Sequence, residues 1–169
     1  MKGGIVGRLL WVDLAKGTAE SMAPDPDLYR QFIGGYGLGA RLIYERQTPK
    51  LPPLDPANIL GFATGPLTGT PAISSSRYTV MGKSPLTGTW GDANSGGFFG
   101  PALKKAGYDG VFFEGAAGSW VYLFINDGRT ELRDAGPYVG LDSSQLENRM
   151  KEEQGPDIRI AGIGPAGEK

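Results

Sequence analysis

A chain of 169 residues with a formal net charge of −1 has the length of one domain and room for a substantial core. It has no basic excess with which to release counterions from nucleic acid, and no apolar run near the ~20 residues of a membrane span. Lacking both cysteine and histidine, it supplies no disulfide framework, no thiolate or imidazole metal ligand and no Cys or His catalytic dyad. The 28 glycines are more than twice the usual share of about 7%. They follow no fixed period, so they point to tight turns, or to backbone lying close to something.

The N-terminal run Met1-Lys2-Gly3-Gly4-Ile5-Val6-Gly7-Arg8 lacks the long apolar stretch of a signal peptide, and the expected location is cytoplasmic. Residues 8–14 are apolar and β-prone, 15–18 read as a turn, and 18–22 return antiparallel as a hairpin. Asp27 is expected to cap a short helix over 28–33 that ends at Gly34-Gly35. Residues 38–46 read as a second helix, weakened by Gly39. The pattern Gly34-Gly35-Tyr36-Gly37-Leu38-Gly39 opens that helix, but a dinucleotide fingerprint needs a strand before it, and here a helix is expected.

Four prolines between Pro49 and Pro56 make a rigid extended connection. Residues 59–64 form a short strand running into Pro66-Leu67-Thr68-Gly69-Thr70. Residues 77–82 form another, running into a second copy, Pro85-Leu86-Thr87-Gly88-Thr89. The repeat is either turn chemistry used twice or a pseudo-symmetric pair of ligand-facing turns. A short helix over 100–107 precedes a strand over 110–115, and 121–133 form a hairpin turning at Asp127-Gly128. Asp142 caps a helix over 143–153 with Leu146 and Met150 inward, and 158–163 read as a final strand. Strands and helices alternate too irregularly for a doubly wound sheet, so the expectation is α+β, with two mostly antiparallel or mixed β-sheets and a few short helices.

The chemistry concentrates in residues 65–110. Arg77 follows Ser74-Ser75-Ser76, small polar neighbours that leave a guanidinium uncovered and suited to phosphate or a heterocycle edge. Asn94-Ser95-Gly96-Gly97 reads either as a surface turn or as a turn offering carbonyls to a cation and N–H groups to phosphate oxygens. Asp92, Asp109 and Glu114 show no spacing that argues acid–base work, and each is expected to be structural.

Taken in order, Gly65-Pro66-Leu67-Thr68-Gly69-Thr70, Arg77-Tyr78, Lys83-Ser84-Pro85-Leu86-Thr87-Gly88, residues 93–100 and residues 104–109 resemble the N-terminal domain of tungsten-containing aldehyde:ferredoxin oxidoreductases. The opening residues 7–14 and closing Gly164-Pro165-Ala166-Gly167-Glu168 match as well, so the resemblance spans 1–169 as one such domain. It implies a base of two β-sheets under a tungsten (or molybdenum) bis-pterin cofactor whose phosphates are bridged by Mg²⁺. It also implies a [4Fe-4S] cluster, oxidation of aldehydes to carboxylic acids, and ferredoxin as electron acceptor. By position, Arg77 resembles the arginine between pterin and cluster, and Asn94 the residue whose backbone carbonyl reaches the Mg²⁺. Gly96 resembles a nearby pterin contact, flanked by Ser95 and Gly97. The family's four cluster cysteines and its acid–base Glu and His have no counterpart in this chain. The chain is therefore expected to be the first third of such an enzyme, inactive alone, partnered by the remaining domains or a partner subunit and open to self-association. The other reading is a phosphate-ligand binding or structural module without redox activity.

Overall fold

The computed structural model describes residues 4–169; Met1, Lys2 and Gly3, part of the run read for a signal peptide, lie outside the described residues. The first strands, β1 (Leu9–Asp13) and β2 (Thr18–Met22), make the expected hairpin, with Leu9 opposite Met22 and Asp13 opposite Thr18. β3 (Leu60–Thr64), β4 (Tyr78–Lys83), β5 (Trp90–Ser95) and β6 (Gly110–Glu114) complete a six-stranded sheet of order β2-β1-β6-β3-β4-β5. β1 and β6 run parallel; the other pairings are antiparallel. A second sheet is the hairpin of β7 (Val121–Asn126) and β8 (Arg129–Asp134), turning at Asp127-Gly128 as expected, both with positive φ. The fold is the α+β arrangement of mixed and antiparallel sheets that the sequence indicates.

Successive strand residues point to opposite faces, and β1 and β6 are apolar on both because both faces are covered. Leu9, Trp11 and Phe112 pack with Tyr29 of α1 (Pro26–Phe32) and with Leu38, Leu42 and Ile43 of α2 (Gly35–Arg46). Leu10, Val12 and Val111 face the other way, onto Leu103 of α3 (Phe99–Lys105), Tyr108 and the β7–β8 hairpin. The last helix, α4 (Ser143–Gln154), carries the expected Asp142 cap as a full capping box with Gln145, and buries Met150.

Four local expectations change. The cap of α1 is Asp25, not Asp27: its carboxylate accepts the Asp27 N–H at 2.8 Å. Pro26, with no N–H to satisfy, fits the first turn that the sequence reading left outside the helix. α2 begins at Gly35 rather than at residue 38. Its Gly39 leaves room for Met81 of β4: a Cβ there would lie 1.7 Å from the Met81 sulfur, so the methionine side chain would have to move. Asn94 and Ser95 are not in a turn but close β5, an edge strand whose polar sequence reflects exposure rather than irregular backbone. Residues 158–163 form no strand and pair with no sheet; Arg159 lies over the Phe98 ring, 5.3 Å from its centroid.

The register also decides between the two readings of the repeat. Thr64, Tyr78 and Ser95 are aligned across β3, β4 and β5, so the first copy, after Thr64, leaves at that end of the sheet. The second copy follows Lys83 and joins β4 to β5 at the opposite end, where Lys83 pairs with Trp90. Gly69 and Gly88 take the same left-handed conformation, φ 78° and 68°. The two copies lie at opposite ends of β4 and close different hydrogen bonds, Gly69 N–H to the Ser75 carbonyl and Gly88 N–H to the Ser84 carbonyl, so the repeat is turn-prone sequence used twice, not a pair of turns around one ligand.

Candidate functional site

The sheet end at Thr64, Tyr78 and Ser95 gathers the residues singled out from the sequence. Arg77 directly precedes β4, Asn94 and Ser95 close the neighbouring edge strand, and Gly96-Gly97 lead from it toward α3. An arginine Nη1 donates to Asn94 Oδ1 at 2.9 Å, and Asn94 Nδ2 donates to Thr79 Oγ1 at 3.2 Å. The amide thus bridges the strand and the guanidinium. Among the described residues this is the only protein hydrogen bond of the Arg77 side chain, so most of its N–H fork is free for a ligand. As an edge, β5 also leaves backbone groups facing away from β4.

Beside this cluster lies an open cleft of about 520 Å³, lined by Gly69, Thr70, residues 74–76, Gly97 and Phe98. Gly97, with φ 83°, holds a backbone conformation that side chains rarely adopt. A Cβ on Gly96 would stand 3.6 Å from Ser76 Oγ, which brings the two predicted segments side by side. Hydroxyls, glycine backbone, an exposed aromatic ring and a nearby arginine suit a flat heterocycle carrying phosphate. A second depression of about 370 Å³, between α1 and α2, contains none of the candidate residues, and its Arg41 is already paired with Glu45.

The sequence reading missed what builds the loop over 65–77. Thr68 is 5% exposed, and its hydroxyl donates to the Arg77 carbonyl at 2.6 Å while accepting the Gly65 N–H at 3.2 Å. The Gly69 N–H donates to the Ser75 carbonyl at 2.8 Å, and the Ser75 hydroxyl to the Thr70 carbonyl at 2.6 Å. Gly100 of α3 seals the neck: a Cβ there would lie 2.9 Å from the Ser76 carbonyl oxygen. Tyr78, Phe99, Phe62 and Phe113 form an aromatic cluster next to it, mostly edge-on or tilted, with the Tyr78 and Phe99 rings 4.9 Å apart. The threonine within the repeat was a signal, but only the fold separates a buried copy from an exposed one.

Of the three acids considered, Asp109 is fully engaged. One oxygen accepts the Val6 N–H and the Lys104 ammonium; the other accepts the Gly7 N–H and the Tyr29 hydroxyl. Burial, and then the Asp109 charge, push the Tyr29 phenol well above its ordinary range. Among the described residues no group of three or more acidic side chains could hold a metal ion.

A family model described as "Aldehyde ferredoxin oxidoreductase, N-terminal domain" matches residues 9–169. The chain is 45% identical over 166 residues to a tungsten-containing aldehyde ferredoxin oxidoreductase of Pyrococcus horikoshii, covering 98% of this chain and 27% of that protein. It is 37% identical to the WOR-like subunit of an aliphatic sulfonate oxidoreductase of Pyrococcus furiosus, covering 90% of this chain and 25% of that one. Among solved structures, the active-site complex BamBC of benzoyl coenzyme A reductase with 1,5-dienoyl-CoA superposes with a TM-score of 0.96 at 39% identity. That match covers 99% of this chain and 26% of the other. The chain thus spans about a quarter of the length of the proteins it matches, somewhat less than the third expected from motif order.

Proposed function

Because the chain belongs to the aldehyde ferredoxin oxidoreductase family, matching its N-terminal domain, we propose that it is the cofactor-bearing base of a tungsten (or molybdenum) bis-pterin oxidoreductase. In this reading the complete enzyme is cytoplasmic, oxidises aldehydes to carboxylic acids and passes electrons through a [4Fe-4S] cluster to ferredoxin. With no cysteine, this chain holds none of the cluster's thiolate ligands, and the 169-residue chain alone is inactive. The bound cofactor supplies the two-electron redox chemistry, and the protein supplies position and electrostatics.

The observation that carries the proposal is the Arg77–Asn94–Thr79 chain at one sheet end, beside a cleft of hydroxyls and glycine backbone. Arg77 presents its free N–H groups to the anionic edge of the pterin, and Asn94 fixes the guanidinium. Ser95, Gly96 and Gly97 offer backbone groups to the phosphates, and the Asn94 carbonyl is the group assigned to the bridging Mg²⁺. Aldehyde as substrate rests on relatives at 42–45% identity whose names carry it, whereas others, at 37% and 39%, carry other substrate names.

The test uses the chain together with the remaining domains or partner subunit of the enzyme, produced in tungstate or molybdate medium. Purified protein should contain tungsten or molybdenum and a pterin. Arg77→Ala should lose most of both while remaining folded by circular dichroism. Wild-type protein without metal or pterin would return the domain to the phosphate-ligand or structural reading.

A further inference from the structure

We infer that Thr68 is the positioning residue for Arg77, an inference that rests on the cofactor reading above. A backbone oxygen at the base of an arginine fixes where its side chain starts, and the Arg77 carbonyl is held by the Thr68 hydroxyl across nine residues of sequence. The same hydroxyl accepts the Gly65 N–H, so one buried atom ties the outgoing and returning arms of the 65–77 loop together. Gly65 in turn follows Thr64, whose N–H and hydroxyl both donate to the Asp109 carbonyl at 2.8 Å. Through these bonds the arm that starts on β3 is referenced to β6, and Arg77 to that arm. Asn94 then sets the far end of the same side chain. Arg77 is thus held at both ends, by Thr68 at the backbone and by Asn94 at the guanidinium.

The second copy of the repeat is an internal control. Thr87 occupies the place of Thr68 in an identical Pro-Leu-Thr-Gly-Thr stretch, and Gly88 takes the conformation of Gly69. Yet Thr87 is exposed, and among the described residues its hydroxyl meets only the Thr89 hydroxyl and N–H. A threonine in this five-residue sequence therefore does not of itself reach a distant carbonyl. The reach of Thr68 belongs to the loop that delivers the arginine, not to the turn.

The experiment is a double-mutant cycle in the full-length enzyme, read as tungsten and pterin retained per polypeptide after gel filtration. Thr68→Val keeps the shape and removes the hydroxyl. It should weaken retention roughly tenfold, the factor one lost hydrogen bond to a buried group is worth. Thr68→Ser should restore retention, Thr68→Ala should behave as Thr68→Val, and Thr87→Val should change nothing. If Thr68 acts through Arg77, the pair T68V/R77A should retain no less than R77A alone. Additive losses, a Thr68→Val enzyme with wild-type retention, or failure of Thr68→Ser to rescue would each overturn the inference while leaving the cofactor reading intact. Full retention by Arg77→Ala would instead overturn the cofactor reading, and the inference with it.

Discussion

Asp109 is 1% exposed and carries four donors on its two carboxylate oxygens, from segments more than 100 positions apart in the chain as well as from its own helix–strand junction. A buried carboxylate is tolerable only when its lone pairs are taken up, and here a nearly buried lysine also balances its charge. The Lys104 ammonium donates in addition to the Gly4 carbonyl, so the group pins the N-terminal segment to α3 and, through Tyr29, to α1. Replacing Asp109 by Ala strands the Lys104 charge and two backbone N–H groups. The expected loss is about 3–5 kcal/mol, as for other broken buried pairs. In thermal unfolding that corresponds to a fall of roughly 6–20 °C for a chain of this size. A shift of under one or two degrees would show that water or rearrangement satisfies the pocket. The cleft is built from other residues, so protein that still folds should keep its cofactor in proportion to its folded fraction.

At the scale of elements, what was legible in the sequence was local chemistry, and what was not was pairing. Asp127-Gly128 and the Asp142 capping box mark their structures because each satisfies its own backbone within a few residues. Residues 94–97 read as a turn and 158–163 as a strand, yet Asn94 and Ser95 pair with β4 and 158–163 pair with nothing, because strand formation depends on a partner that no local pattern states. Arg77 and Asn94 were legible as residue types, whereas the hydrogen bond joining them follows only from the β4–β5 register. α4 shows the same dependence on contacts between elements. Its Glu153 accepts from the Tyr138 hydroxyl and from Arg149, and Arg149 also donates to the Pro137 carbonyl at 2.7 Å. The hydrogen bond to Glu153 foremost raises the Tyr138 phenol from 10.0 to about 12, and the same bond holds the Glu153 carboxyl below its ordinary 4.5. A raised phenol stabilises the fold fully below pH 10 and loses that contribution as pH rises toward 12. A depressed carboxyl stabilises above 4.5 and loses its contribution as pH falls through its folded value. The docking of α4 on the 136–138 turn should therefore loosen at both extremes. Tyr138→Phe should flatten the alkaline limb between pH 10 and 12 in a stability-versus-pH profile. An unchanged limb would mean that the phenol is not bonded to Glu153 in solution.

At the scale of the whole molecule, the end that carries the cleft also carries exposed apolar side chains. The central strands of the sheet are packed on both faces, while large apolar side chains stand in solvent on and near the loop beside the cleft, Leu67, Phe98 and Ile73 at 97% exposure, as do Leu86, Leu54 and Tyr44 elsewhere. Leu67, Ile73 and Phe98 belong to the 65–77 loop or the junction between β5 and α3, the end that also carries Arg77. Scattered exposed apolar residues are ordinary, but a group around a polar cleft marks a face that meets something else. In relatives about four times as long, most of the protein is available to cover that face. A solution of the 169-residue chain offers no such cover, and a net charge of −1 gives little repulsion between copies. The chain should therefore self-associate through this end. Its elution volume in size-exclusion chromatography should decrease with concentration, and its scattering mass should rise above that of one chain. Ile73→Lys with Phe98→Ser should return it to a monomer with unchanged circular dichroism, since both side chains are exposed and neither belongs to the core clusters. Leu86→Lys, at the far end of β4 and equally exposed, should leave the association as it was. A wild-type chain that runs as a monomer at every concentration would refute the prediction. Association relieved by Leu86→Lys but not by the Ile73 and Phe98 pair would place the contact at the opposite end of the sheet.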